Sequence, residues 1–394
     1  MINQKEAFQK VMETVKDFGN EIIPILEAPG RILAEDIKAD RDFPPFDRVT
    51  KDGYAVNSKA LNEGIMTFEI ESLCPAGSLG GKLENYKNCI EVMTGAVLPE
   101  GTDTIIMYEH TQLKDGKMHI EVPPEKGQNI HSKGGDICAG ETILKKNRRI
   151  TGKEMGVLAA VGKARVLVKK LPKICLISTG DELVSIEEQP LPHQIRNSNG
   201  MSLYGALSSE NIFPEFLHLK DEKEEIRKKL KTALEENDVL LLSGGVSRGK
   251  FDFLPEIMEE LKVEKIFHRV AQQPGKPLWF GVQTKINTGV FSFPGNPVST
   301  FVNFHVYFKP WLQKCLKEKI REHKVLLKNE FENKGDLTRF LLVTITPEEG
   351  KLTASLIGGN GSGDMVSLTL ADGIIIVPPK EVVSKGKAVT YISF

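Results

Sequence analysis

The 394-residue chain is too long for one ordinary domain, and 52 basic against 53 acidic residues leave a net charge of −1. That balance gives no global field to hold nucleic acid or an anionic membrane, and 40% hydrophobic with 27% charged residues is an ordinary soluble composition. Five widely spaced cysteines without a C-x-x-C pair, and eight histidines without an H-E-x-x-H grouping, argue against a disulfide framework, a cysteine zinc site or a His-ligated metal. They suit a reducing cytoplasm.

Residues 1–12 are polar and read as the start of a helix, not as a secretory leader, and no apolar run approaches the ~20 residues of a membrane span. Asn3 can cap that helix, which is expected to run through about Phe18 with Ala7, Val11, Met12 and Val15 on one stripe. Residues 22–40, with Pro24 and Pro29-Gly30 as turn signals, read as a connecting arm without a core. In residues 42–56, Pro44-Pro45 forces extended backbone and Asp52-Gly53 is a turn signal that presents Asp52 at a loop tip. The plainer alternative is an Asp that only caps its own turn. From 67 to about 122, short β runs punctuated by Gly and Pro predict a small all-β unit. Two of its loops carry reactive groups: 93–101, with Thr94, and the basic, glycine-rich 127–136, which ends in Asp136. A solvated surface loop is the commoner fate of such a run.

A helix over 150–161 and a Lys/Pro linker at 169–173 come next, and the rhythm then changes to strand–helix alternation, the mark of a βαβ domain. Its strands at 174–178, 239–242 and 290–293 end in Thr179-Gly180-Asp181-Glu182, in Ser243-Gly244-Gly245-Val246-Ser247, and in Pro294-Gly295-Asn296-Pro297. The second of these continues to Gly249-Lys250-Phe251-Asp252. Glycines let a backbone approach an anion, and hydroxyls and a lysine add donors, so this stretch suits a phosphate. Gly244 to Lys250 fits G-x-x-x-x-G-K, but Phe251 stands where a P-loop needs Ser or Thr for Mg2+. Asp252 offers a carboxylate instead. If the strands are parallel, the three loops line one rim of the sheet, where open α/β sheets bind ligands. A helix is expected from Val298 to about Lys317, and the basic stretch 314–328 reads as a solvated helix face plus linker. Beyond it, four strand-like runs predict a second β domain of about 70 residues, with 358–363 as its conspicuous glycine loop.

Taken in order, the motifs are Asp52-Gly53-Tyr54-Ala55, Met93-Thr94-Gly95-Ala96, Gly127-Gln128-Asn129-Ile130 with Gly134-Gly135-Asp136, Ser178-Thr179-Gly180-Asp181-Glu182, Ser243-Gly244-Gly245-Val246-Ser247, Pro274-Gly275-Lys276-Pro277 and Pro294-Gly295-Asn296-Pro297. They resemble those of the MoeA type of molybdopterin molybdenumtransferases, which are also similar to the E domain of gephyrin, over almost the whole chain. The resemblance implies a multidomain α/β plus β fold. An elongated arm would take residues 1–45 and 140–170, its first helix able to pack on the α/β domain. An inserted β domain would take 46–139, a three-layer α/β molybdopterin-binding domain 171–320, and a C-terminal β-barrel 321–394.

It also implies the reaction: molybdate insertion into adenylyl-molybdopterin with release of AMP, completing molybdenum cofactor. Roles at the reacting groups would fall to Asp52, Thr94, Asp136, Glu182, Asp221 and Asp252, and a Mg2+ ion to Asp181, Glu182 and Asp252. Ser243, Gly244, Gly245, Ser247, Lys250, Gly295 and Asn296 would seat the pterin's phosphate, and Arg269, Pro274, Lys276, Arg339 and Ser362 would seat molybdate. The expected assembly is a homodimer whose cleft draws on both subunits. Further partners would be a molybdopterin adenylyltransferase and molybdoenzyme chaperones, with no nucleic acid and no membrane.

The sequence departs from the resemblance at Val49 and Lys51, where many relatives carry Ser and Met, and at Gln273, where some carry Lys. Val49 removes a hydroxyl, Lys51 adds charge beside Asp52, and Gln273 removes a cation that could grip the oxyanion. Two alternatives stay open: adenylyltransfer to molybdopterin, since the α/β domain alone resembles those enzymes, and a non-catalytic dimeric scaffold.

Overall fold

A computed structural model describes residues 1–220, 222–245, 253–320 and 322–394. The chain divides into two compact units, one of residues 1–34, 147–151 and 165–394, the other of 35–146 and 152–164.

The first unit is built on a six-stranded sheet. Strands Glu215–Leu219, Ile174–Thr179, Val239–Ser243 and Thr288–Phe293 run parallel in that order, and Trp279–Gln283 and Val263–His268 complete the sheet antiparallel. Val239–Ser243 is apolar at every position up to its last residue because both faces of the sheet are covered. Leu241, with Ile174, Leu176, Phe291 and Phe293, packs into one core, while Leu240 and Leu242, with Cys175, Ile177 and Val290, pack into the other. Helices Ser198–Ser208 and Pro297–Asn303 line the first face, and Lys223–Glu236 and Leu254–Glu260 the second. The register sets Ser178 opposite Ser243 and Ser243 opposite Phe293, so the carboxyl ends of the three central strands are level.

The N-terminal helix is Gln4–Glu13, shorter than the expected run to Phe18. Asn3 Oδ1 accepts from Glu6 N at 2.8 Å as its cap, and Ala7 and Val11 enter the first core. The helix stops because Thr14 Oγ1 donates to the Val11 carbonyl at 2.8 Å while accepting from Trp311 Nε1 at 3.1 Å. The following segment is more than an arm without a core. Asn20–Pro24 pairs antiparallel with Arg165–Lys169, and Ile32 joins the first core.

Strands His323–Leu327, Thr338–Glu348, Lys351–Leu356, Gly373–Val377 and Ala388–Ser393 close into a five-stranded barrel, each paired with two neighbours in the ring. Closure removes sheet edges. A third of the basic stretch read as helix face and linker is therefore barrel wall: Val325 and Leu327 point inward two residues apart. Gln272–Gln273 pairs in parallel with Thr338–Arg339, tying the α/β part to the barrel within the same unit. The expected helix from Val298 is continuous to Cys315 but contains a π-helical turn, Phe304–Phe308.

In the second unit, a six-stranded sheet has the order Thr104–Met107, Gly53–Val56, Cys89–Val92, Thr67–Cys74, Lys117–Ile120, Thr111–Lys114. Alternation splits it between two small cores, Ala55, Ile90 and Ile105 against Tyr54, Cys89 and Ile106. The last two strands form a hairpin over Asp115-Gly116, both at positive φ (50° and 76°). This shifts the expected strand at 119–122 back to Lys117–Ile120, because the turn sets its start. No helix of the described residues is long and apolar enough to cross a membrane.

Candidate functional site

In the first unit the three strand-end loops meet. Gly180 has φ +124°, and a Cβ there would lie 2.2 Å from Glu182 Oε2, so only glycine lets the Glu182 carboxylate fold back over the strand end. Gly244 has φ +97°, and its Cβ would meet Thr179 Oγ1 at 2.8 Å. Gly244 N donates to the Phe293 carbonyl at 3.1 Å, and a Cβ built on Gly295 would stand 3.9 Å from Gly244 Cα. The Ser243-Gly244-Gly245 and Pro294-Gly295-Asn296 turns are thus side by side. Asn199 Nδ2 bridges them, donating to Ser243 Oγ at 2.8 Å and to Gly295 O at 2.6 Å, while its Oδ1 is buried with no partner among the described residues. The barrel adds Ser362: its Oγ accepts from Asn296 Nδ2 at 2.9 Å and its carbonyl from Val298 N at 3.0 Å. Asp364 folds that glycine loop by accepting from Asn360 N at 3.0 Å and from the Ser367 N–H and hydroxyl, which together hold its carboxyl down to about 2.

A second group lies around residues 269–278. Arg269 N donates to Leu278 O, Val270 N to Lys276 O, and Gln273 stands opposite Arg339 in the strand pairing. Arg269, Lys276 and Arg339 have no acidic partner among the described residues, and the Nε atoms of both arginines are buried without a hydrogen-bond acceptor. Guanidinium groups without an acidic partner suit an anion supplied from outside the chain. Pro274 is the half-buried corner of this turn. The helix from Pro297 joins the two groups: Asn296 stands at its N-cap position with its side chain on Ser362, and Asn303, about 10 Å along the axis, packs on Gly275.

Asp181 and Glu182 are exposed, adjacent carboxylates at the strand end. Mg2+ is commonly held by one or two carboxylates plus substrate phosphates, so this pair fits it. Among the described residues no group of three or more His, Cys, Asp or Glu gathers round one point. Asp221, Ser247, Lys250 and Asp252 lie outside the described residues.

In the second unit, Asp52 is exposed at the bend before Gly53–Val56, and its Oδ1 accepts from Thr94 N at 2.6 Å. That N–H first, and the Thr94 hydroxyl second, hold the Asp52 carboxyl below its ordinary value. A depressed folded-state value means that this tie is complete above the ordinary carboxyl range near about 4 and is lost only as pH falls further. In an NMR titration the Thr94 amide should therefore keep its bonded shift through that range and move below it. A midpoint at the ordinary value would remove the interaction from the account. Asp136 Oδ1 lies 3.1 Å from His131 Nε2, and His131 Nδ1 lies 3.1 Å from Arg48. Val49 does not face this loop surface. It is fully buried with Ala55 and Ile90, so its lost hydroxyl alters a core and not a site.

A family profile described as the MoeA N-terminal region (domain I and II) matches residues 2–162, one described as a probable molybdopterin binding domain matches 175–314, and one described as the MoeA C-terminal region (domain IV) matches 324–394. The chain belongs to the MoeA family. A molybdopterin molybdenumtransferase of Synechocystis sp. is 37% identical, with 96% of both chains covered, and one of Bacillus subtilis is 34% identical, covering 95% of this chain and 89% of the relative. Two solved structures of a molybdopterin biosynthesis MoeA protein from Pyrococcus horikoshii superpose with TM-scores of 0.84 and 0.81 at 27% and 31% identity, covering 100% of this chain and 100% and 99% of theirs. Within this MoeA chain, sequence reasoning missed Asn199 and Asp364. Asn199 had a signal: in Asn197-Ser198-Asn199-Gly200, Asn197 already caps the helix, which leaves the second amide free for another task. Asp364 had the Asp-x-x-Ser capping spacing to Ser367.

Proposed function

We propose that the protein inserts molybdate into adenylyl-molybdopterin with release of AMP, as a transferase of molybdenum cofactor biosynthesis. The observation that carries this reading is the meeting of the Thr179–Glu182, Ser243–Gly245 and Gly295–Asn296 turns, with Ser362 on their margin, at the carboxyl rim of a parallel sheet. Glycine turns and strand-end N–H groups suit a phosphate, and the unmatched Arg269, Lys276 and Arg339 suit a tetrahedral dianion. The carboxylates of Asp181 and Glu182 would hold Mg2+, with Asp252 as a further ligand. When bound, the ion offsets charge developing at the phosphoanhydride.

Asp52, Thr94 and Asp136 belong to the other unit and serve in this reading through a homodimer, one subunit's loops completing the other's site. Residues 1–45 and 140–170 would form the arm, 46–139 the inserted β domain, 171–320 the pterin domain and 321–394 the barrel. Gln273, exposed opposite Arg339, leaves the oxyanion with one cation fewer than a lysine would supply.

The test is AMP release from adenylyl-molybdopterin with Mg2+, with and without molybdate. Release that requires molybdate is the expected result. Pterin binding without release would point to the scaffold, and adenylylation of molybdopterin from ATP to the adenylyltransferase.

A further inference from the structure

Behind the Gln273-Pro274-Gly275-Lys276 turn lies a chain of buried polar side chains that no step above uses. Gln272, Asn303 and Tyr307 are each 0% exposed. The Tyr307 hydroxyl donates to Gln272 Oε1, and Gln272 Nε2 donates to Asn303 Oδ1 at 2.7 Å and to the Gly275 carbonyl at 3.0 Å. Asn303 Nδ2 donates to that same carbonyl at 3.3 Å. Ile2 holds the backbone just before the turn, donating to Arg269 O at 3.3 Å and accepting from Ala271 N at 2.8 Å.

The surroundings are aromatic: Phe291, Phe304, Phe308 and Trp311 fill the same core. Replacing a buried hydrogen-bonded set with apolar groups of the same shape is close to neutral for stability, so stability alone does not account for two amides and a phenol here. Direction does. Two donors converge on one carbonyl, that of Gly275, and Gly275 lies at φ +87° with room for no Cβ: one would sit 2.5 Å from Asn303 Nδ2. Gln272 is in turn locked in register with Thr338, which places Gln273 opposite Arg339. The π-helical turn Phe304–Phe308 lies on the helix that starts at Pro297 and carries Asn303 and Tyr307, so one helix serves both the glycine loop and this turn.

We propose that Gln272, Asn303 and Tyr307 are positioning residues: a buried amide–phenol network that fixes the 273–276 turn, and with it Gln273, Lys276 and Arg339, in the geometry that receives the oxyanion. This rests on the proposed reaction, in which that turn takes molybdate. The network acts on the molybdate side only, because the pterin phosphate is assigned to the glycine turns at the strand ends.

Tyr307→Phe removes the hydroxyl and keeps the ring. Gly275→Ala presses on Asn303 from the turn side and leaves the core residues in place. For the full chain and both variants, KM for molybdate, kcat and the affinity for adenylyl-molybdopterin would be measured separately, alongside thermal unfolding. The expected result is a rise of about tenfold to a hundredfold in KM for molybdate, the scale of a misplacement near 1 Å, with affinity for the pterin nucleotide unchanged. Folded variants with KM for molybdate unchanged, or with both substrates weakened alike, would overturn the network's positioning role while leaving the reaction intact. A wild-type chain whose AMP release ignores molybdate would instead overturn the reading beneath it.

Discussion

Glu182→Gln should lower molybdate-dependent AMP release by about a hundredfold to a thousandfold, the usual cost of removing one preorganised charge from a reacting centre. The substitution keeps size and hydrogen-bonding shape and removes only the negative charge. Glu182 is exposed, and its backbone carbonyl, which accepts from Ile195 N at 2.8 Å, is untouched, so the turn should hold. Its carboxylate lies over Gly180, and the proposed site needs an anion there to face a divalent ion. The measurement is turnover across a Mg2+ titration, with pterin-nucleotide binding followed separately. A Mg2+ titration displaced to higher concentration, with unchanged pterin-nucleotide binding, is the expected pattern. Wild-type turnover with an unshifted Mg2+ midpoint would remove Glu182 from the metal site and leave the role to Asp181 and Asp252.

Gly53→Ala should disrupt the β sheet of the second unit, at a cost of several kcal/mol, about 3 or more. A Cβ at Gly53 would stand 1.9 Å from the Ile106 carbonyl oxygen and 2.9 Å from Met107 Cα, both backbone atoms. Gly53 pairs with Val92 on one side and Met107 on the other, so neither neighbour can retreat without opening a ladder. Asp52 would move with it and lose the Thr94 tie. Hydrogen exchange resolves the effect by region: amides of Gly53–Val56 and Thr104–Met107 should lose protection, while Val239–Ser243 keeps its own. Unchanged protection in the first pair would mean that the close approach relaxes at little cost.

How much of this was legible beforehand differs by element. The buried strand Val239–Ser243 and its glycine turn were readable because an apolar run followed by Ser-Gly-Gly has few other local solutions. The level rim was an inference conditional on parallel strands, and the register of Ser178, Ser243 and Phe293 meets that condition. The reach of the first helix is not legible locally, because its stop depends on Trp311, 297 residues away from Thr14. His323–Leu327 reads from the sequence as helix face and linker because its lysine and histidine are exposed, and the two inward residues are too few to outweigh them.

The local pieces are written in the chain: the capped helices, the apolar strands, the glycine and hydroxyl turns that end them, and the ordered motifs of the MoeA family. Each of these is encoded within a few residues, by backbone freedom at glycine, by side-chain capping or by the period of apolar positions. Only the tertiary structure decided that Asn199 would bridge to Gly295 across 96 residues, that Asn296 would meet Ser362 across 66, and that Val49 would be a core residue and not a site residue. Those outcomes depend on which elements pack together, and a side chain's partner across a closed barrel or a sheet rim is set by the sum of many distant contacts, none of which leaves a mark on the residues next to it in the chain.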